Sequence, residues 1–391
     1  MIDSRFSHNP DHQRLADAVT KVTDKFDDAY WSRLDETATF PHEFHRAMAE
    51  GGWLGIAIPE SCGGSGLGIT EAAILMHGIA SGGGGFAAAS SVHLNIFGPH
   101  AIVVHGTPEQ RDRFLPPLIR GDEKACFAVT EPDAGLDTTS IKTFAESVEG
   151  GYRIRGQKIW TSTAQVADKI LILARTAAKD SDRDPTLGMS LFYTDLDRTA
   201  IEVRAIDKMG RAAVDSNAIF IDNLFVPSSD LIGEEGRGFR YLLDSLNPER
   251  ILIAAEAIGL GRDALRRAVR YARERNVFGR PIGQNQGIQH PLAESWIQLE
   301  SAWALCLRAA ALYDAGQPCG AEANAAKFLG ARAGFDTCTR SVMTHGGMGY
   351  AKEYQVERLF RESMIPRLAP VSEQLILSFI GEKVLGLPKS Y

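Results

Sequence analysis

The spacing of apolar residues changes twice along this chain, and those changes limit the folds it can adopt. From about residue 11 to residue 120 apolar side chains recur at helical spacing, with glycine-rich breaks at ESCGGSGLG and SGGGG. From about 125 to 232 the period becomes two, and from 236 onward the helical period returns. We therefore predict an α+β protein of three domains, a helical one at 1–122, a β one at 123–234 and a helical one at 235–391.

The middle segment contains stretches rich in β-branched and aromatic residues, separated by polar or Gly/Pro breaks. No helical pattern alternates with them, which favours a largely antiparallel, barrel-like domain over a doubly wound sheet. The stretches are YRIRGQKIW, KILILAR, MSLFYTD, IEVRAI and NAIFIDNLFV. The last segment contains four long helical stretches with short links, which predict an antiparallel four-helix bundle.

Composition excludes several classes of protein. The net charge of −7 argues against a nucleic-acid-binding protein, which needs a basic face. The five cysteines have neither disulfide-scaffold density nor metal-ligand spacing, so we expect reduced thiols, no metal and a cytoplasmic location. No signal peptide precedes the first helical stretch, and no apolar run reaches about 18 residues, so we expect no membrane span.

One apparent nucleotide motif is better explained by packing. The segment from Gly259 to Ala264 imitates the GxGxxG/A dinucleotide fingerprint, but it lies inside an amphipathic helical stretch instead of following a strand. Small residues that allow close helix contact account for it. The chain has no P-loop, no GxSxG elbow and no HExxH motif.

Three other stretches suit a ligand site, although each also has a purely structural explanation. FAVTEPDAGLD runs from a strand into a Pro/Gly turn, which suits either a heterocycle or an unliganded tight turn. KIWTST places an aromatic among hydroxyls, as in a ligand site or a core Trp beside a polar loop. RNVFGRPI, with Gln286 and GGMGY beyond it, suits a pyrophosphate or a glycine C-cap.

Taken together, these segments resemble the acyl-CoA dehydrogenase family over nearly the whole chain. The resemblance is carried by GGWLGIAIPESCGGSGLG, ACFAVTEPDAG, GQKIWTSTAQVADKILILART, IDNLFVP, RERNVFGRPIGQNQGIQHPLAE and THGGMGYAKEYQVERLFRE. It implies the family's fold of helical domain, β-domain and four-helix bundle. It also implies an FAD cofactor and a homotetramer, or dimer of dimers, in which neighbouring subunits complete each flavin site.

The resemblance also assigns residues to the cofactor. The isoalloxazine and nearby ribityl chain would be lined by Phe127, Val129, Thr130, Trp160 and Ser162, with Gly135 and Leu136 in the adjoining turn. A neighbour's FAD would be reached by Arg275, Phe278 and Gln286, and its ADP half by Met343, Gly346 and Gly347. Ser372 and Gln374 would meet the adenosine side.

The catalytic base of most family members is a Glu in a loop near the C-terminus, and that position here is Pro370. A minority, including enzymes like isovaleryl-CoA dehydrogenase, carry the Glu on the first bundle helix, and their segment resembles LNPER here. By resemblance Glu249 is the base, and Asn247 and Arg250 lie near the substrate. The alternative is a solvated Glu in the first turn of a helix, where the helix dipole favours it.

Three residues depart from the family pattern in a way that affects ligand contacts. Pro370 has no N–H to hold the thioester oxygen, so either Val371 donates instead or the carbonyl is held differently. Leu136 and Met343 replace residues that are usually Ser and Gln, and each loses a polar contact to FAD.

The resemblance implies an FAD-dependent acyl-CoA dehydrogenase of fatty acid metabolism. Such an enzyme forms a 2-enoyl-CoA and passes electrons to an electron-transfer flavoprotein. Two alternatives stay open at this point: a flavin oxidase or monooxygenase of the same fold with a non-CoA substrate, and a catalytically degenerate subunit of a hetero-oligomer. Acyl chain length and branching are not predicted.

Overall fold

The computed structural model describes residues 9–179 and 184–389. Its first segment is helical, as the periodicity predicts. Three helices begin at side-chain caps that the sequence encodes: Asn9 accepts a hydrogen bond from the Asp11 amide, Asp27 accepts one from the Tyr30 amide, and Thr107 forms a capping box with Gln110. The helices are α1 (Pro10–Thr23), α2 (Asp28–Thr37), α3 (His42–Glu50), α4 (Ile69–Ser81), α5 (Gly85–Phe97), α6 (His100–His105) and α7 (Pro108–Ile119).

The middle segment forms one sheet. Its strands are β1 (Ala125–Ala128), β2 (Phe144–Val148), β3 (Gly151–Ser162), β4 (Lys169–Arg175), β5 (Met189–Asp195), β6 (Ile201–Ala205), β7 (Ser216–Pro227) and β8 (Leu231–Ile232). They pair in the order β6-β7-β3-β2-β4-β5-β8, with β1 also on β4. Only the pairs of β4 with β1 and β2 are parallel within the described chain, which confirms the largely antiparallel prediction. The exposed strand β2 and the two-residue β8 have too little alternation to be found from sequence.

The last segment is helical again. Three helices are long, namely α8 (Gly238–Glu274), α9 (Gln286–Asp314) and α10 (Gly320–His345), and a hairpin of β9 (Asn276–Val277) and β10 (Arg280–Pro281) joins α8 to α9. The short helices α11 (Val356–Glu362), α12 (Ile365–Leu368) and α13 (Glu373–Phe379) follow. The fourth stretch is thus shorter than predicted: α13 has 7 residues and continues as a 5-residue π-helix, Ile380–Val384. Gly381 within that π-helix and Gly386 beyond it, with φ of 70°, limit its length.

The N-terminal helices and the bundle share one hydrophobic core. Ile74 and Leu75 of α4 are fully buried in the same cluster as Leu299 of α9. The contact is also polar, because the Asp314 carboxylate at the end of α9 accepts hydrogen bonds from the Ile69 and Thr70 amides, at 2.7 and 2.9 Å, and so caps α4. The two helical segments therefore form one packed unit.

The apparent dinucleotide motif lies in the interior of α8, where small residues permit close helix packing. A Cβ placed on Gly261 would lie 3.0 Å from the Cα of Gly334, and one on Gly334 would lie 2.5 Å from the Ala257 carbonyl oxygen. This confirms the packing interpretation of the segment.

The glycine-rich stretch before α5 is shaped around a buried ion pair. Glu362 of α11 is fully buried, accepts hydrogen bonds from the Phe86 and Ala87 amides at 2.7 and 3.3 Å, and pairs with Arg358 at 3.2 Å. Arg358 in turn donates to the carbonyls of Gly83 and Gly84. Gly85 has a φ of 56°, and a Cβ there would lie 2.5 Å from Glu362 Oε2. The carboxylate therefore caps α5 from another part of the chain.

By length and apolar composition alone, the stretch Gly85–His105 could cross a membrane. In the structure it is interrupted at Gly98 and Pro99, and 72% of its apolar window is buried inside the protein.

We predict that Glu362→Gln lowers the free energy of unfolding by about 3–5 kcal/mol, because it leaves the Arg358 guanidinium buried without its countercharge. Urea unfolding followed by far-UV circular dichroism measures the change. Glu202→Gln, which breaks an exposed pair with Arg204, is the control and should cost less than about 1 kcal/mol. Equal losses in the two variants would show that the buried pair does not hold the helices together.

Candidate active site

The ends of strands β1 and β3 bring together the first group of predicted flavin residues. The Ile159 amide donates to the Thr130 carbonyl at 2.9 Å, which sets the residues after β1 beside the end of β3. Phe127 is partly buried and its ring centroid lies 5.6 Å from that of Phe97 on α5. Phe127, Val129, Thr130, Trp160 and Ser162 therefore occupy one region of the structure.

A buried ion pair that the sequence analysis missed fixes this region. Lys158 is fully buried and its Nζ lies 2.9 Å from Glu131 Oε1 and 3.0 Å from the Val129 carbonyl oxygen. Glu131 also accepts from the Lys142 and Thr143 amides, at 2.6 and 2.9 Å. Burial lowers the pKa of Lys158 to about 8, although the Glu131 carboxylate opposes that shift. The turn after β1 is therefore held rigidly against β3.

The surface that this turn presents fits a flat heterocycle. The Trp160 side chain is 57% exposed and its backbone has a φ of 61°, which no packing of the ring in the core explains. A Cβ placed on Gly135 would have no neighbour within 4 Å, and Leu136 beside it is 55% exposed. An open aromatic face beside the Thr130 and Ser162 hydroxyls suits the apolar ring and polar edge of an isoalloxazine.

A second group of predicted residues lies at one end of the bundle. The Tyr271 ring of α8 stacks on His345 of α10 with centroids 4.3 Å apart, so the ends of both helices are adjacent. Phe278, in the β9–β10 turn just beyond, is 100% exposed with a φ of 52°. The remaining members are also exposed: Arg275, Gln286, Met343, Gly346 and Gly347. An aromatic so fully exposed in a constrained turn suits a contact outside its own chain.

The C-terminal loop lies against α10. Ser372 caps α13 by accepting from the Leu375 amide at 3.3 Å, and Gln374 is exposed. Pro370 follows a cis peptide bond, and the next carbonyl, of Val371, accepts a hydrogen bond from the fully buried Lys327 at 2.5 Å. Burial lowers the pKa of Lys327 to about 8.

Glu249 lies well inside α8, which begins at Gly238, and it is half-buried. A solvated Glu in the first turn of a helix, the alternative that the sequence left open, is therefore wrong. Beside it on the same helix, Arg250 donates from Nη1 to the Asn247 side-chain oxygen at 3.1 Å, and its Nε has no partner within the described chain.

The surroundings of Glu249 favour its protonated form. Burial raises the pKa of this carboxyl to about 7, and the Glu256 carboxylate adds to the rise. The positive charges of His93 and Arg250 act in the opposite direction and are outweighed. A carboxyl with a pKa near neutrality can accept a proton and release it again at physiological pH.

Two further residues near Glu249 were not found from the sequence. His93 of α5 and Glu256 of α8 are buried and lie 2.5 Å apart, from Nδ1 to Oε1. Glu256 stands among alanines in AAEA, and a lone acid on a small-residue helix face is the pattern that could have indicated it.

Arg211, between β6 and β7, was also not predicted from the sequence as a site residue. It donates to the hydroxyls of Ser90, Ser162 and Ser216 and so joins α5 to the sheet. Nothing in the segment DKMGRAAVDSN predicts that contact, because it depends on how the helices dock on the sheet.

Within residues 9–179 and 184–389, no group of three or more His, Cys, Asp or Glu side chains could hold a metal ion. The arrangement combines a carboxyl of near-neutral pKa on α8 with a rigid, partly aromatic platform on the sheet. Such a pair suits proton removal on one side of a substrate and a planar redox cofactor on the other.

Comparison with known proteins relates nearly the whole chain to one family of redox enzymes. Models of the acyl-CoA dehydrogenase N-terminal, middle and C-terminal domains match residues 9–122, 126–224 and 236–385. The acyl-CoA dehydrogenase FadE12 of Mycobacterium tuberculosis is 34% identical over 399 residues, covering 100% of both chains. The benzylmalonyl-CoA dehydrogenase of Aromatoleum aromaticum is 35% identical over 96% of this chain and 98% of its own.

Among solved structures, the glutaryl-coenzyme A dehydrogenase glutaryl-CoA complex is similar with a TM-score of 0.92 and 28% identity, over 99% of this chain and 98% of that one. The fold, the platform on the sheet and these matches all indicate the same family. The chain belongs to the acyl-CoA dehydrogenase family of FAD-dependent oxidoreductases.

Proposed function

We propose that this chain oxidises an acyl-CoA between Cα and Cβ to a 2-enoyl-CoA, with Glu249 as the base that removes the α-proton. The observation that carries the proposal is the position of Glu249, half-buried on α8 with its pKa raised to about 7. The usual loop position of the base is occupied by Pro370, which cannot accept a proton.

FAD, when bound, supplies the acceptor for the β-hydride. This chain's part is to hold the acyl group between the Glu249 carboxylate and the isoalloxazine that Phe127, Trp160 and Ser162 would line, so that both hydrogens can leave. A pKa near 7 leaves much of the carboxyl ionised at neutral pH while keeping it basic enough to take the proton. Arg250 and Asn247 are hydrogen-bonded to each other beside it and would contact the thioester end.

The thioester oxygen needs a donor other than residue 370. We propose the Val371 amide, for which the described residues provide no acceptor, as that donor. A hydrogen bond to the carbonyl of the same residue supports this position: the Lys327 ammonium donates to the Val371 carbonyl oxygen at 2.5 Å. A fixed amide aimed at a developing negative charge is worth about 2.7–4 kcal/mol of barrier in other enzymes.

We further propose that two bundle ends meet in a homotetramer and that the exposed group around Phe278 completes a neighbour's FAD site. Ser372 and Gln374 would contact its adenosine side.

The five cysteines are free thiols, which fits a cytoplasmic location. We expect an electron-transfer flavoprotein to reoxidise the enzyme within fatty acid metabolism.

Anaerobic titration of the purified flavoprotein with a panel of acyl-CoA esters tests the activity, because transfer of a hydride abolishes the long-wavelength flavin absorbance. Bleaching with at least one ester and slow reoxidation by oxygen are expected. Fast reoxidation would instead identify an oxidase, and no bleaching with any ester would identify a non-catalytic subunit.

We predict that Glu249→Gln lowers the rate of flavin bleaching by about 10²–10⁴-fold, the usual contribution of a positioned general base. Flavin content and the circular dichroism spectrum should stay unchanged, since the amide is nearly isosteric. Stopped-flow absorbance measures the rate. Glu274→Gln, at the exposed end of the same helix, is the control and should bleach normally. Near-normal bleaching in Glu249→Gln would contradict the assignment of the base.

The raised pKa of Glu249 predicts the pH dependence of the reaction. Because the ionised form is the base and its pKa is about 7, kcat/KM should rise with pH and reach half its plateau near pH 7. A carboxyl of ordinary pKa would already be saturated at pH 6. Initial rates between pH 5.5 and 8.5 measure the profile, and a flat profile over that range would count against the proposal.

We predict that Phe278→Ala weakens FAD binding by about tenfold or more while leaving the fold of the subunit intact, since the side chain is 100% exposed within its own chain. FAD affinity is measured by quenching of flavin fluorescence and mass by analytical ultracentrifugation. Phe225→Ala, at a 43% exposed position on the sheet, is the control. Unchanged FAD affinity in Phe278→Ala would argue that no neighbouring site uses this residue.

A further inference from the structure

Arg211 lies in the connection between β6 and β7, behind the platform on the sheet, and no step of the proposed proton removal uses it. Its Nη2 donates to Ser162 Oγ at 2.9 Å and to Ser216 Oγ at 2.8 Å, and its Nη1 donates to Ser90 Oγ at 3.1 Å. Ser162 and Ser216 are register partners on β3 and β7, so one nitrogen bridges two neighbouring strands. Arg211 is thus held one hydrogen bond away from a residue that would line the isoalloxazine.

The backbone around this contact is in an unfavourable conformation. Arg211 has a φ of 59°, and Trp160 and Thr163, on either side of Ser162, have φ of 61° and 69°. These are three of the seven non-glycine residues of the described chain that have a positive φ. Such angles are rare for residues with a side chain, and they cluster at functional sites, where the direction of a side chain is maintained at a cost in stability.

Arg211 is a cation whose hydrogen-bond partners are all neutral. In residues 9–179 and 184–389 no carboxylate forms an ion pair with it, and its buried Nε has no partner. Burial lowers the pKa of Arg211, but a guanidinium remains protonated in proteins. Arg211 and Ser162 are half-buried, whereas Ser90 and Ser216 are buried. The charge therefore reaches the surface of the chain at the platform end of this group.

The carboxylates at longer range are engaged elsewhere. Those that act on Arg211 are Glu362, Asp215 and Glu256. Glu362 is paired with Arg358, and Glu256 is paired with His93. Asp215 acts on the Lys208 ammonium as well as on Arg211. An excess of positive charge is therefore left behind the platform.

A link between α5 and the sheet does not explain this charge. Such a link needs hydrogen-bond donors, and a neutral amide side chain would provide them without the cost of burying an ion. What a charge adds is an electrostatic effect on whatever occupies the platform. The site therefore contains a cation that packing alone does not require.

A fixed cation beside a flavin site distinguishes between the two redox states of the cofactor. The oxidised isoalloxazine is neutral, and two electrons with one proton convert it into an anion. By Coulomb's law, two unit charges within about 10 Å, at an effective dielectric constant of about 20, change such an equilibrium by roughly tenfold or more. The reduced form is the one that a nearby positive charge stabilises.

We infer that Arg211 raises the reduction potential of the bound FAD, as a positioning residue that holds Ser162 and places a positive charge behind the isoalloxazine. The two electrons and the proton arrive with the hydride from the substrate β-carbon, and the electrons leave to the acceptor that reoxidises the enzyme. The inference rests on the proposed position of the isoalloxazine beside Ser162, and it holds whichever acyl group is oxidised.

Two variants separate the charge of Arg211 from its hydrogen bonds. Arg211→Gln keeps a donor for the hydroxyls without the charge, and Arg211→Lys keeps the charge without the planar fork. We expect Arg211→Gln to weaken binding of reduced FAD relative to oxidised FAD by about tenfold or more, which lowers the two-electron midpoint potential by about 30 mV or more. Arg211→Lys should change the same ratio by less than about threefold. Anaerobic reduction in equilibrium with a reference dye, without any acyl-CoA, measures the potential.

Arg204→Gln is the matched control, because it removes an exposed arginine that pairs with Glu202 on β6 and should leave the potential unchanged. Circular dichroism and flavin content show whether each variant is folded and loaded. Should Arg211→Gln retain too little flavin, the dissociation constants of oxidised and reduced FAD, each measured by anaerobic calorimetry, give the same ratio by linkage.

An unchanged ratio in Arg211→Gln would overturn the inference and leave Arg211 as a link between α5 and the sheet. Equal shifts in the Gln and Lys variants would also overturn it, because the fork geometry and not the charge would then be responsible. Failure of every acyl-CoA ester to bleach the flavin would remove the proposed dehydrogenase activity, while the potential would still report on Arg211. Normal bleaching with an unchanged potential would keep the activity and remove the role of Arg211.

Discussion

The buried pair of Arg358 and Glu362 is the interaction on which the position of the candidate site depends. The start of α5 has no capping side chain of its own, and Glu362 provides one from α11. Arg358 neutralises that carboxylate and holds the glycine carbonyls that precede the helix. Because α5 carries Ser90 and His93, a contact made near the C-terminus sets one wall of a site whose candidate base, Glu249, lies on α8. The glycine-rich stretch that looks like a simple loop in the sequence is the part that makes this contact possible.

A second constraint is that several charges are buried close together around Glu249. Burial alone would push this carboxyl towards its neutral form, and its neighbours do not cancel that tendency. The pair of His93 and Glu256 contributes one charge of each sign, so its effects on Glu249 partly compensate. The pKa of Glu249 is therefore set mainly by how much water reaches its carboxyl, and a bound molecule that excludes water would raise it further.

The sequence predicts the arrangement of helix, sheet and helix well, because periodicity reflects which face of each element is buried. It points to Glu249 as the candidate base through the LNPER segment, and it places the residues proposed to line the flavin on two strand ends that do meet. It does not reveal the pairs Lys158–Glu131 and His93–Glu256, whose partners are far apart in the chain. It also does not reveal that the i,i+4 pair Arg358–Glu362 is buried. A buried Lys or Glu looks the same as a solvated one in a linear pattern. The length of the fourth helix is overestimated from sequence because apolar content alone does not register the effect of Gly381.

Several of the residues that sequence reasoning missed lie beside the candidate base and the platform. The proposed base on α8 and a flavin held on the platform would together suffice to remove two hydrogens from a thioester, whatever the acyl group. Buried charge beside them is not needed for that chemistry and costs stability unless it is compensated. Arg211 has only hydroxyl partners, so its compensation within the described chain is incomplete.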